Sequence, residues 1–279
     1  MDAGADVCVV SVHKMGAGFE QGSVFHVQGD LVDPSHIAAW ADLLMTTSPN
    51  VLIYTALDGW RRQMVEHGES LLGAALELAR GVRRDLDQVP GLHVLQRELV
   101  SREASHDLDE LQVLIDVTGV GITGYQAADW LREHERIDVG LSDHGRILAT
   151  ISMADDEGTA RRLRAGLEAL VAAAPNLPSP TPIKLPKPSA FQLDAVERPR
   201  DAFFGPAEQV SVDEAVGRIG AEQITPYPPG IPVVVPGERI NREVIDYLLT
   251  GLQAGMVLPD PADPKLETIR VTVDDRGVA

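Results

Sequence analysis

The chain has one cysteine, Cys8, in 279 residues. A single thiol can build neither an intramolecular disulfide framework nor a thiolate zinc cluster, and it suits a reducing, cytoplasmic setting. Cys8 itself reads as a small core residue. Basic residues are also scarce: Lys plus Arg is 24 against 42 for Asp plus Glu, a formal net charge of −18. That field disfavours a phosphate backbone or an anionic membrane as partner and suits a small cationic substrate. No apolar run approaches the roughly 20 residues of a membrane-spanning helix. The eight histidines show no metal-ligand spacing, so no metal is expected, and His67, His93, His106, His134 and His144 read as exposed.

What is present is enough apolar residue, 44%, for a sizeable core. Residues 7–10 form a short apolar run suited to a buried strand, preceded only by an acidic stub, as if the chain were entered in mid-domain. Residues 23–27 are a second candidate strand. Asp33-Pro34 and Ser48-Pro49 each place a capping side chain before proline, the pattern of a helix start. The first helix would present Ile37, Trp40 and Leu44 on one face. The second would be interrupted or bent near Gly68 and then carry Leu71, Ala75, Leu78, Val82 and Leu86 at three- and four-residue steps. Leu111 to Val117 and Ile147 to Ile151 read as strands. Thr123 with Gln126 makes a capping box for the helix after the first of them. Ala160 to Ala174 reads as a helix stopped by Pro175. The alternation argues for α/β layering. Six prolines between 175 and 188 mark a linker. Beyond it, Ser211 with Glu214 reads as another capping box, Asn241 as a helix cap, and Glu267 to Val273 as a half-buried strand.

Two motifs carry candidate chemistry. Gly119-Val120-Gly121-Ile122-Thr123-Gly124 fits G-x-G-x-x-G between a strand and a helix, the setting of a dinucleotide site, with Asp138 or Asp143 as a ribose-binding acid. The plainer reading is a strand-to-helix turn that needs glycine for backbone angles and packing. The second motif is Ser11-Val12-His13-Lys14, followed by Gln21-Gly22-Ser23. A lysine at the mouth of an apolar strand is suited to nucleophilic or Schiff-base chemistry, with a hydroxyl and an imidazole beside it for an anionic group. The alternative is a surface lysine beside a structurally satisfied histidine.

The Ser-Val-His-Lys segment with its downstream Gln-Gly-Ser resembles the cofactor-lysine segment of the pyridoxal-phosphate-dependent ornithine/lysine/arginine decarboxylases. Further matches follow in order. Thr47-Ser48-Pro49 with Leu57-Asp58, the stretch Asp116 to Gly124 with Leu131, and Pro199-Arg200-Asp201-Ala202-Phe203-Phe204 each have a counterpart in that family. So do Gly217-Arg218-Ile219 and Tyr227-Pro228-Pro229-Gly230-Ile231-Pro232 with Pro236-Gly237-Glu238. Asn50-Val51 and Gly140 depart from the family pattern, which has serine and an aromatic at the first pair and glutamate at the second.

The resemblance implies an α/β chain with three parts. Residues 1–88 would be the C-terminal part of an aspartate-aminotransferase-like, cofactor-binding large domain, with a long connecting helix. Residues 89–174 would form a small α/β domain, 175–205 a proline-rich linker, and 206–279 a C-terminal α+β decarboxylase domain. It implies pyridoxal 5'-phosphate as cofactor, Lys14 as the catalytic lysine that carries it, and Ser11 and His13 as contacts to its phosphate. Thr47 and Ser48 would reach the phosphate of a partner subunit, their alternative role being helix capping. The implied reaction is decarboxylation of lysine, arginine or ornithine to a polyamine-type amine by a cytoplasmic homodimer or higher oligomer. It also implies a preceding half of the large domain, expected from a longer chain or from a second polypeptide. The alternatives are a noncatalytic partner or regulatory subunit and, further off, a nucleotide-binding oxidoreductase domain through Gly119–Gly124.

Overall fold

The computed structural model describes residues 1–103 and 105–273. The chain divides into two compact units. The first comprises Met1–Glu77 with Ser152–Asp155, and the second comprises Leu78–Ile151 with the residues from Asp156 onward.

The first unit opens on strand β1 (Val7–Val10), which pairs antiparallel with β2 (Val24–Val27). β-branched and aromatic residues make up most of both, as a pleated surface favours. In this register Val9 lies opposite Phe25 and Cys8 opposite His26. Helix α1 (Pro34–Leu44) starts as expected, with Asp33 accepting from the Ser35 amide and proline at the first helical position. No residue of α1 is buried, and Trp40 and Leu44 of its apolar face are exposed.

Helix α2 (Val51–Leu86) departs from the sequence reading twice. Its cap is Asn50, whose Oδ1 accepts from the Leu52 amide at 3.0 Å, rather than Ser48. The helix also runs unbroken through Gly59, Gly68, Gly73 and Gly81. A glycine in a helix interior costs about 1 kcal/mol relative to alanine. That penalty weakens a helix without breaking it when strong formers such as Leu, Ala, Glu and Arg surround it.

In the second unit, strands β3 (His93–Val94), β4 (Gln112–Asp116), β5 (Leu141–Ser142) and β6 (Arg146–Thr150) make an antiparallel sheet in the order β3-β4-β6-β5. Val113, Ile115, Ile147 and Ala149 alternate inward and are buried. Helix α3 (Gly124–Trp130) starts on the expected capping box of Thr123 and Gln126. Helix α4 (Glu157–Ala173) is capped by Asp156 and stops before Pro175. The end of α2 packs with these elements into one core, where Leu86, Leu131, Leu167 and Leu170 are fully buried. Arg83 sits at its edge, donating to the carbonyls of Leu95, Glu110 and Gln112.

The proline-rich segment lies within this unit and is tied down at several points. Gln126 Nε2 donates to the Pro178 carbonyl, and the Lys184 amide donates to Thr250 Oγ1. The Lys184 ammonium pairs with Asp246 at 3.0 Å. Helix α5 (Pro199–Phe204) precedes strand β7 (Ala207–Ser211), and helix α6 (Arg242–Ala254), capped by Asn241 as expected, precedes β8 (Thr268–Thr272). β7 and β8 pair antiparallel, and Ile245, Leu248, Ile269 and Val271 center a second core.

The Ser211–Glu214 pair makes the reciprocal bonds of a capping box, yet they close a turn and no helix follows. Gly217 enters the left-handed region at φ +86° soon after and ends the coil. His144, expected to be exposed, is half-buried, edge-on to Tyr125 and Tyr247.

Candidate active site

Lys14 stands on a tight loop in the first unit. Val12 is wholly buried and anchors it. The Lys14 amide donates to the Ser11 carbonyl, the Ala17 amide to the Lys14 carbonyl, and the Gly18 amide to the Val12 carbonyl. Glycine is required here by close approach. A Cβ on Gly16 would come 2.6 Å from the Val12 carbonyl oxygen and 3.2 Å from Trp60 Nε1. A Cβ on Gly18 would come 2.8 Å from the Val12 side chain. The loop is thus drawn in around Val12, and the Lys14 side chain projects to the exposed side.

His13 is fixed through Nδ1. Its amide and Nδ1 both meet the Gly22 carbonyl, at 3.0 and 2.9 Å. A carbonyl only accepts, so Nδ1 carries the proton, and Nε2 is the nitrogen left for other work. Nε2 faces Glu20 at 3.7 Å. Gly22 is itself held in place, because a Cβ there would come 2.9 Å from the Phe19 carbonyl oxygen. The expected Gln-Gly-Ser segment therefore positions the histidine that sits beside the lysine.

Among the described residues the Ser11 hydroxyl and the Lys14 ammonium make no side-chain hydrogen bond or ion pair. One short loop thus offers an ammonium and a hydroxyl unspent by the fold, beside an imidazole whose Nε2 faces the exposed Glu20. That donor set fits a ligand with an anionic group and an electrophilic carbon, which is the chemistry of pyridoxal phosphate.

Trp60, which sequence reasoning missed, adds to this site. Its buried indole nitrogen has no hydrogen-bond partner among the described residues. It lines a cavity of about 340 Å³ with Gly16, Phe19, Ala56, Gln63 and Met64. No local motif links Trp60 to the lysine loop, so the sequence offered no signal for it.

Thr47 and Ser48 are exposed in the segment before α2. The Ser48 amide donates to Thr46 Oγ1, and capping is done by Asn50. Capping therefore does not account for Thr47 or Ser48. No hydrogen bond joins either to the Lys14 loop among the described residues.

The glycine motif is explained by packing. A Cβ on Gly119 would come 2.7 Å from the Gly91 carbonyl oxygen, and one on Gly124 would strike the carbonyl oxygens of Arg146 and Asp143. Gly121 takes the left-handed conformation at φ +81°. Each glycine thus has a structural reason, and Thr123 accepts from the Gln126 amide at the head of α3.

Comparison with known proteins matches residues 2–159 to the Orn/Lys/Arg decarboxylase major domain and residues 186–260 to the Orn/Lys/Arg decarboxylase C-terminal domain. The arginine decarboxylase of Bacillus anthracis is 34% identical over 285 residues, covering 100% of this chain and 56% of that protein. The arginine decarboxylase of Bacillus subtilis is 34% identical over 284 residues, with the same coverage. The chain thus spans little more than half the length of these relatives.

Among solved structures, the lysine decarboxylase of Francisella novicida superposes with a TM-score of 0.76 at 22% identity, covering 95% of this chain and 48% of that one. Lysine decarboxylase A of Pseudomonas aeruginosa gives a TM-score of 0.72, also at 22% identity, over 96% of this chain and 49% of that one. These likenesses show a shared fold. With a family model matching more than half of the chain, this protein belongs to the Orn/Lys/Arg decarboxylase family.

Proposed function

We propose that the chain is the lysine-bearing part of a pyridoxal-phosphate-dependent decarboxylase acting on lysine, arginine or ornithine. The observation that carries this reading is the Lys14 loop, where an ammonium and the Ser11 hydroxyl are left free by a loop locked around Val12, with His13 Nε2 turned outward toward the exposed Glu20. In this reading Lys14 Nζ holds the cofactor's carbonyl carbon, and Ser11 and His13 hold its phosphate. The Gly22 carbonyl accepts from Nδ1–H, so His13 would reach the phosphate as an imidazolium, donating through Nε2–H. Thr47 and Ser48 donate to the phosphate held by a second subunit of a homodimer, which accords with their having no capping duty in α2. The chemistry supplied by the bound cofactor is an electron sink for the charge left at the α-carbon when carbon dioxide departs.

A net charge of −18 supports a cationic amino acid as substrate. The product would be a polyamine-type amine, and the setting the cytoplasm. The domain reading of 1–88, 89–174, 175–205 and 206–279 goes with this proposal. So does dependence on the portion of the large domain that the relatives carry and this chain does not span.

The test is carbon dioxide release from lysine, arginine and ornithine by the protein as purified from its source, with and without added cofactor. The expected outcome is cofactor-dependent release from one of the three, abolished by Lys14→Ala. Release that survives Lys14→Ala would refute the assignment.

A further inference from the structure

The lysine loop holds its shape at a conformational cost. Ala17 and Gln21 are not glycines, yet their φ angles of +55° and +70° lie in the left-handed region. Such backbone persists only where surrounding contacts fix it, and it collects at active sites. Each of the two residues adjoins a glycine that closes onto helix α2. A Cβ on Gly16, beside Ala17, would come 3.2 Å from Trp60 Nε1. A Cβ on Gly22, beside Gln21, would come 3.2 Å from Leu57 Cδ2. Leu57 and Trp60 are three residues apart and share one face of α2. The Trp60 contact lies on the Lys14 arm of the loop, where the Ala17 amide donates to the Lys14 carbonyl. The Leu57 contact lies on the His13 arm, where the Gly22 carbonyl accepts from the His13 amide and Nδ1. The Trp60 indole N–H has no hydrogen-bond partner among the described residues, so shape and not hydrogen bonding seats the ring.

We propose that Trp60 and Leu57 are positioning residues for the decarboxylation: Trp60 sets Lys14 through Gly16, and Leu57 sets His13 through Gly22. The inference rests on the decarboxylase reading and adds to it what aims the two side chains. Both residues act through a glycine and not on the reacting atoms. Trp60 backs the arm whose side chain reacts. Without its ring the left-handed turn at Ala17 relaxes and Lys14 Nζ drifts from the cofactor's carbonyl carbon, where an error of about 1 Å can cost on the order of 100-fold in rate. Leu57 backs the arm whose side chain binds, so its loss weakens the hold on the phosphate alone. Because the indole N–H makes no bond, another flat ring can take its place, whereas a branched aliphatic chain cannot.

The test compares pyridoxal phosphate with pyridoxal, which lacks the phosphate, on the assembled protein purified from its source. Trp60→Leu should raise the dissociation constants of both on the order of tenfold, leaving their ratio unchanged, since both bind through Lys14. At saturating pyridoxal phosphate it should lower kcat on the order of tenfold or more while KM for the amino acid stays within about twofold. Trp60→Phe should restore most of the loss. Leu57→Ala should instead weaken pyridoxal phosphate alone, shrinking its advantage over pyridoxal about tenfold, the worth of one hydrogen bond to a charged group. Gly16→Ala presses on the Trp60 contact with α2 intact, so it should match Trp60→Leu even if that variant fails to fold. Full kcat in Trp60→Leu, or the same change in both constants in the Trp60 and Leu57 variants, would overturn the proposal. Failure here is distinguishable from failure of the decarboxylase reading. Wild-type protein that takes no pyridoxal phosphate onto Lys14 would sink the reading, whereas a loaded Lys14 with Trp60→Leu at full turnover would sink this inference alone.

Discussion

Lys14 owes its position to residues that do no chemistry. Val12 fills the center of the loop, Gly16 and Gly18 let the backbone close over it, and the Gly22 carbonyl fixes His13. A Gly16→Val substitution should therefore impair cofactor binding without touching a ligand, raising the apparent dissociation constant while Lys14 remains present. A spectrophotometric cofactor titration of the assembled protein checks it. His144 illustrates a different constraint. Burial holds its pKa below the ordinary histidine value, and Asp143 opposes that shift. The groups facing it are Tyr125, Tyr247, Asp143 and Arg146. A histidine kept neutral in the fold contributes stability above its unfolded pKa of about 6.5, and that contribution is lost as pH falls below this value and through the lowered folded one. The thermal midpoint should thus drop as pH falls below about 6.5, and the drop should be shallower in His144→Phe. Equal slopes in both proteins would contradict this. The local lysine motif was legible in the sequence because its neighbours in space are also neighbours in the chain. Trp60 was not, since it reaches the loop only through folding.

At the level of elements, short-range capping signals served well, even for α1, which buries no residue of its own. The caps at Asp33, Thr123 and Asn241 sit where expected. The Ser211–Glu214 pair shows the limit, because the same reciprocal bonds close a bare turn when no apolar stripe continues beyond them. Asn50 shows another, since a capping residue two positions beyond Ser48 can take the role when the backbone enters the helix there. Replacing Asn50 with alanine should cost about 1 kcal/mol by denaturant unfolding, whereas Ser48→Ala should cost almost nothing. The glycine turn yields a sharper prediction. Gly124→Ala should destabilise the second unit by about 3 kcal/mol through collision with the Arg146 and Asp143 carbonyls. A near-neutral effect on stability would reopen the nucleotide reading of that motif.

For the molecule as a whole, the two units differ in how completely their own residues satisfy them. The second closes two cores around Leu131, Leu167, Ile245 and Leu248. The first leaves Phe25, Trp40 and Leu44 in the open. Periodicity marked Trp40 and Leu44 as one apolar face, but a sequence pattern states which face is apolar and not what covers it. That distinction explains why the local shape of α1 was legible and its burial was not. The unit with the incomplete core is also the one that carries Lys14. The chain has four lysines, Lys14, Lys184, Lys187 and Lys265. The most direct measurement is borohydride reduction of the cofactor-treated protein purified from its source, followed by peptide mapping of the four. The account predicts a visible cofactor band and a single label on Lys14. A label spread over Lys184, Lys187 and Lys265, or no label on Lys14, would contradict it.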